Sequence, residues 1–341
     1  MEASDIPYHR LDNDERAIST VGPHLRKGPY PLLRVSCRGR ACLKRPGAPS
    51  VIGILVLYIL SPMVLPRLDP VAFSVGPLQV RWYALAYIVG MIAGWAIAIR
   101  IVENSKLWNG VPPLNRKLID ETCSWILLGA LIGGRLGHVI FYDPNYFAQY
   151  PWRIVQLWQG GMSFHGGLAG ALVAMIICSA VNHRIPLLSI MDVAATVAPI
   201  GIFLGRIANF INGELWGRVT TASFGVIFPW VDEYPRHPSQ VYEAFFEGFL
   251  LFFVMLYAVY LLKTLRLPGV TAGIFAIWYS VARILVEFVR EVNSTTGFIF
   301  KYFTMGQVLS VPLFLGGCFL ICYAIIRDAK EKQKIRSTGH L

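Results

Sequence analysis

Charge is scarce in this 341-residue chain. Only 15% of its residues are Asp, Glu, Lys or Arg, against 55% hydrophobic, and the mean hydropathy is +0.52. That balance excludes an ordinary soluble domain, where about a quarter of residues are charged. Acidic residues are the scarcer kind, 20 against 31 Lys and Arg, for a formal net charge of +11. In a soluble protein such an excess would point to nucleic acid. Also missing are the alternating stretches of about ten residues that build a membrane β-barrel, a repeat relating the two halves, and a His/Asp cluster suggesting a metal. The six cysteines follow no metal or redox spacing. Cys37 and Cys42 lie near the N-terminus, and Cys123, Cys178, Cys318 and Cys322 in apolar stretches, so they read as small hydrophobes.

Long apolar runs are abundant. A helix needs about 20 such residues to cross the hydrocarbon core. Seven windows qualify, near 82–101, 122–142, 164–181, 187–205, 240–262, 269–289 and 305–326. The expected fold class is all-α, a polytopic membrane protein with seven transmembrane helices. The cations mark its orientation. Arg100, Lys106, Arg116 and Lys117 follow the first window, Arg184 the third, Lys263 and Arg266 the fifth, and Arg327, Lys330, Lys332, Lys334 and Arg336 the seventh. These connections should be cytoplasmic, with the first span starting outside and the C-terminus inside. Arg153, then Arg206, Arg218 and Arg236, then Arg290 and Lys301 occupy the opposite connections. Topology therefore accounts for the charge without nucleic acid.

Residues 1–50 carry nine Arg or Lys and no helical or strand period, the composition of a disordered basic arm. The run "VIGILVLYILSPMVLP" follows, short and ended by prolines. It is a marginal eighth span, a signal-like anchor, or sequence preceding a true start at Met63. The expected division is 1–66 for the arm and short apolar segment, 67–327 for a seven-helix domain and 328–341 for a basic cytoplasmic tail. Within the spans, Gly90 and Gly94, then Gly129, Gly133 and Gly137, then Gly166 and Gly170 have the small-residue spacing that lets helices approach. They predict a compact bundle of the first three spans.

An ionisable residue at membrane depth costs on the order of 2.5–3.5 kcal/mol, so each is a functional candidate. On the expected topology Tyr83, Arg135, His165, Arg206, Asn209, Arg236, His237, Gln240, Glu243, Arg283, Glu287 and Arg290 gather toward the outer leaflet. Arg206 and Asn209 share a helix face, and Asn212-Gly213-Glu214 then turns the chain along the surface. Gly205 leaves room beside Arg206, whose guanidinium at headgroup depth matches a phosphodiester. Ser163 can cap the helix that begins at His165, where a helix N-terminus keeps imidazole neutral and draws anions. Structural readings stand beside these. Arg135 can tie neighbouring carbonyls, Arg283 with Glu287 can fix helix register, and His237 beside Pro238 reads as a turn group. Trp82, Trp152, Trp158, Trp216 and Trp230 read as interface anchors. Two function classes fit so far: an enzyme acting on membrane lipid, or a membrane lipid or small-solute transporter. A carrier should place polar residues at mid-depth and show an internal repeat.

Four stretches, "GGMSFHGGLAG", "GRIANFINGELWGR", "RHPSQVYEAFFEG" and "ARILVEFVRE", resemble signatures of the prolipoprotein diacylglyceryl transferase family in order and spacing, a likeness covering roughly 68–327. The resemblance implies transfer of a diacylglyceryl group from phosphatidylglycerol to the lipobox cysteine of a preprolipoprotein signal peptide, at a bacterial inner membrane. It implies catalytic roles for His165, Arg206, Arg236 and Tyr83. A lipid-binding set would comprise Arg206, Asn209, Glu214, Gly217, Arg236, Arg135, Glu243 and Arg283, with no cofactor or metal. In that scheme His165 is the base, or Tyr83 or a second group takes the proton in its place. Arg206 and Arg236 clamp phosphate, while Asn209 and Glu214 orient Arg206 or the glycerol headgroup.

Overall fold

The computed structural model describes residues 62–76, 78–157, 161–181, 186–291, 298–299 and 302–337, and at some of these, His165 among them, the backbone alone. The basic arm, most of the short apolar segment, Trp158, Arg184 and Lys301 lie outside the described residues. Seven helices fall on the seven apolar windows: α1 (Trp82–Glu103), α2 (Arg116–Phe141), α4 (Phe164–Val181), α5 (Leu187–Ile211), α6 (Ser239–Tyr260), α7 (Val270–Glu287) and α8 (Met305–Ser337). A short surface helix, α3 (Pro144–Gln149), joins α2 to α4. Among the described residues six helices are long and apolar enough to cross a membrane, while the apolar part of α4, Gly166–Val181, is shorter. The protein is a polytopic, largely α-helical membrane protein.

Glycine governs how closely the helices meet, because apolar side chains gain little from one another in lipid. A Cβ on Gly133 would sit 2.3 Å from the Gly166 carbonyl oxygen, and one on Gly129 2.4 Å from that of Gly170. The backbones of α2 and α4 therefore touch, as expected. The first span departs from expectation: Gly90 faces Gly201 and Gly94 faces Val197, both on α5. Its small-residue face is complementary to the Gly201 turn, so α1 pairs with the fourth span rather than completing a bundle of the first three. Gly273 and Gly317 bring α7 and α8 together in the same manner.

Short strands cap one end of the bundle, an addition to the all-α expectation. β1 (Met63–Val64) pairs in parallel with β4 (Val226–Ile227), which pairs antiparallel with β5 (Pro235–Arg236). β2 (Val71–Val75) and β3 (Leu78–Arg81) form a hairpin leading into α1, and β6 (Phe298–Ile299) with β7 (Phe303–Thr304) leads into α8. Leu65, Val226 and Phe228 are buried together in this head, with Trp216 and Trp230 against them. Trp216 and Trp230, expected as interface anchors, are half-buried against this head: Phe228 supplies an apolar partner for both rings, and Gly213 O accepts the Trp230 indole N–H at 3.0 Å. At the far end the fully buried Asp192 of α5 accepts the N–H groups of Gly269 (2.7 Å) and Ala272 (2.8 Å), fastening the start of α7.

Candidate active site

Helix α5 carries the motif "GRIANFI" to the head end and stops at Ile211. Gly213 and Leu215 then adopt φ of 62° and 59°, a left-handed reversal that folds Glu214 back over the helix end. A side chain at Gly213 would meet the Trp230 ring, so glycine is required there twice over. Two buried residues of the first turn of α6 hold the reversal. Gln240 Nε2 donates to Glu214 O at 2.6 Å and Ser239 Oγ to Leu215 O at 2.8 Å. The Glu214 carboxylate accepts the Tyr83 hydroxyl, which itself accepts from Asn209 Nδ2. Asn209 and Asn212 also reach Glu214 Oε1, at 3.3 and 3.4 Å. Tyr83, far from the other two in sequence, joins Asn209 and Glu214 in one network.

Beside it lies a buried ion cluster. Helix α6 widens into a π-helical stretch over Ala244–Phe249, a distortion frequent at functional sites. Glu247 within it and Glu243 just before it have fully buried side chains. Arg206 Nη1 meets Glu243 at 3.2 Å and Nη2 meets Glu247 at 3.0 Å. Arg283 reaches Glu243, Glu247 (3.6 Å) and Glu287 (2.8 Å), and Arg290 reaches Glu243 at 2.7 Å. Three guanidiniums thus face three carboxylates, a set with no formal net charge. Such groups persist in a low-dielectric interior only when paired, and removing one member leaves an uncompensated charge. Glu247 escaped the sequence reading, although Glu243 and Glu247 one helical turn apart in an apolar span carried the signal.

Arg236 stands in a different cluster. Its Nη2 meets Asp232 at 2.5 Å, and its Nη1 donates to Glu291 at 3.0 Å and to Gly217 O at 3.1 Å. Hydrogen bonding from Arg236 holds the Asp232 carboxyl below the usual carboxylate range and raises Arg236 in turn. Among the described residues Arg206 and Arg236 share no carboxylate. The arginine that shares both Glu243 and Glu247 with Arg206 is Arg283. Gly217 joins the two clusters: its N–H donates to His237 O at 2.9 Å, and it bridges to Arg290. A Cβ there would lie 2.5 Å from His237 O and 2.6 Å from Val289 O.

Arg135 lies apart from both. It is buried on α2, stacks over Phe147 at 5.0 Å and donates to the carbonyls of Ile154 (2.8 Å), Gly161 (3.1 Å), Arg153 (2.5 Å) and Gln156 (3.3 Å). These bonds hold the connection that leads into α4, in keeping with the carbonyl-tying reading. His165 is the second residue of that helix, and its side chain lies outside the described residues. Ser163 Oγ accepts the Gly166 N–H at 3.2 Å and caps the helix as expected.

A family model described as prolipoprotein diacylglyceryl transferase matches residues 70–323. The chain belongs to that family. It is 49% identical over 261 residues to a phosphatidylglycerol–prolipoprotein diacylglyceryl transferase of Sinorhizobium medicae, covering 76% of this chain and 93% of the relative. It is 48% identical to a protein of the same name from Rickettsia felis, covering 76% of this chain and 98% of that one. The matched segment of this family member contains every residue of the Tyr83 network and of both ion clusters. The basic arm precedes it.

Proposed function

We propose that this protein moves the diacylglyceryl group of phosphatidylglycerol onto the lipobox cysteine thiol of a preprolipoprotein, at the outer leaflet of a bacterial inner membrane. The observation that carries the reading is Arg206 held between Glu243 and Glu247, one turn from the Asn209–Tyr83–Glu214 network. Together they supply a fixed cation and oriented hydroxyl and amide groups at one end of a membrane bundle.

The chemistry follows from the groups. A free thiol has a pKa of about 8.5, so little is ionised near neutrality. A neutral imidazole at His165 takes the thiol proton. The thiolate attacks the glyceryl carbon that bears the phosphate, a C–S bond forms, and the C–O bond breaks with its electron pair leaving on glycerol phosphate. Negative charge grows on that leaving group, and the preorganised Arg206 guanidinium stabilises it without reorganising solvent. The Glu243 and Glu247 carboxylates fix the direction of the guanidinium. Arg283, sharing both of them, is the second cation of this site, and Arg236 acts from the neighbouring head cluster. Asn209 and Glu214 orient the glycerol headgroup through their polar atoms.

Reconstituted protein with labelled phosphatidylglycerol and a lipobox peptide tests the reading. Wild type should form the thioether, and Arg206→Lys, which keeps the charge but loses the planar fork, should lose most turnover while remaining folded. Near-wild-type turnover in Arg206→Lys would refute the clamp. Cysteine labelling from each side of the membrane tests the orientation, which requires Asp232 and Tyr234 to be reachable only from outside.

A further inference from the structure

Glu214 sits between two left-handed residues, Gly213 at φ 62° and Leu215 at φ 59°. Glycine takes that conformation freely, whereas leucine takes it against the clash of its Cβ with the following carbonyl. Such strain persists only where the surroundings hold it, and it gathers at functional sites. Helix α5 holds one side of the reversal: Asn209 O accepts the Glu214 N–H at 3.1 Å and Phe210 O the Gly213 N–H at 3.0 Å. The first turn of α6 holds the other. Gln240 Nε2 donates to Glu214 O at 2.6 Å and Ser239 Oγ to Leu215 O at 2.8 Å, so both carbonyls of the strained pair end on side chains.

Both donors are fully buried, and both come from the "HPSQ" stretch, which has no other role in the site. Gln240 Oε1 is buried too, with no hydrogen-bond partner among the described residues. An unpaired buried acceptor is destabilising, and methionine would fill the same length without it. Packing therefore gives no reason for glutamine at this position, but the Nε2 donor does. That donor ends on the backbone of the residue whose carboxylate accepts the Tyr83 hydroxyl and, at 3.3 Å, Asn209 Nδ2. A rotation of the Glu214 backbone would carry the carboxylate away from both partners.

We infer that Gln240, with Ser239 beside it, is a positioning residue for the transfer reaction: their two hydrogen bonds fix the strained Glu214–Leu215 backbone and so aim the Glu214 carboxylate at Tyr83 and Asn209. The inference rests on the transfer reading above and adds the residues that act through Glu214. Misplacing an active-site group by about 1 Å can cost about a hundredfold in rate. Loss of the clamp should accordingly be felt in turnover before it is felt in folding.

The test is a double-mutant cycle on full-length protein in mixed micelles of detergent and phosphatidylglycerol, with a lipobox peptide as acceptor. Gln240→Met should lower kcat more than about tenfold, leaving the KM for phosphatidylglycerol and the melting temperature close to wild type. In a Tyr83→Phe background the carboxylate no longer has that hydroxyl to meet. There the same substitution should cost less than about threefold, because members of one network do not act additively. Effects that simply multiply in the cycle would overturn the inference, and so would a melting temperature that falls in step with kcat. Ser239→Ala deletes one hydroxyl and enters the same cycle should Gln240→Met not fold; it should show a smaller loss with the same non-additivity, and multiplying effects there are equally fatal. Wild type that forms no thioether would remove the transfer reading and this inference with it, whereas wild-type transfer with a multiplying cycle would remove this inference alone.

Discussion

Arg206 on α5 meets Glu247 on α6 at 3.0 Å, with the Glu247 side chain fully buried. This contact joins the helix bearing Asn209 to the π-helical stretch of α6. Taking Glu247 away leaves three guanidiniums facing two carboxylates in a low-dielectric interior. Breaking a buried pair from one side costs about 3–5 kcal/mol. Glu247→Ala should therefore melt far below wild type in detergent and lose transfer activity, and a melting temperature close to wild type would show that the cluster is not held by charge balance.

The Tyr83 hydroxyl links Asn209 to Glu214. A hydrogen bond to a charged group contributes about 1.5–3 kcal/mol. If that bond orients the headgroup, Tyr83→Phe should slow transfer by about 10–100-fold with a small change in melting temperature. A loss of stability equal to the loss of activity would assign the hydroxyl to folding alone.

Gly205 and Gly217 should respond in opposite ways to substitution. A Cβ at Gly217 meets two carbonyl oxygens, whereas one at Gly205 meets nothing within 4 Å. Gly217→Ala should destabilise by about 1–3 kcal/mol, as overpacking does. Gly205→Ala should hold or raise the melting temperature, by up to about 1 kcal/mol of helix propensity. If the donor lipid approaches Arg206 over that open surface, the same variant should nevertheless lower turnover. Thermal unfolding and transfer assays on both variants separate packing from substrate access.

Arg236 holds the Asp232 carboxyl below its ordinary range. Folding then favours the ionised form, so the contribution is whole above the unfolded pKa of about 3.9 and disappears as pH falls through the lower folded value. Asp232→Asn should melt below wild type at pH 7, and the gap should close as the pH approaches 3. Screening at this partly exposed site keeps the effect small. A gap that does not depend on pH would rule out the ion pair as its source.

Much of this architecture was legible along the chain. Hydropathy is a local property, so seven apolar windows located seven helices, and ionisable residues stood out because membrane interiors penalise them. The Gly129, Gly133, Gly166 and Gly170 spacing correctly joined α2 to α4, since only helices with small residues on both faces can touch at the backbone. Ser163 announced its cap for the same local reason.

Partner choice belonged to the tertiary structure. Apolar faces in lipid are nearly interchangeable, so nothing in Gly90 and Gly94 said that α5 rather than α2 would receive them. The head strands of two residues are too short to show a period. Sequence named Arg206, Arg236, Glu243 and Arg283 as charged candidates. Which carboxylate each guanidinium meets depends on which helix faces converge, and that convergence joined Arg206 to Arg283 through Glu243 and Glu247 and left Arg236 with Asp232.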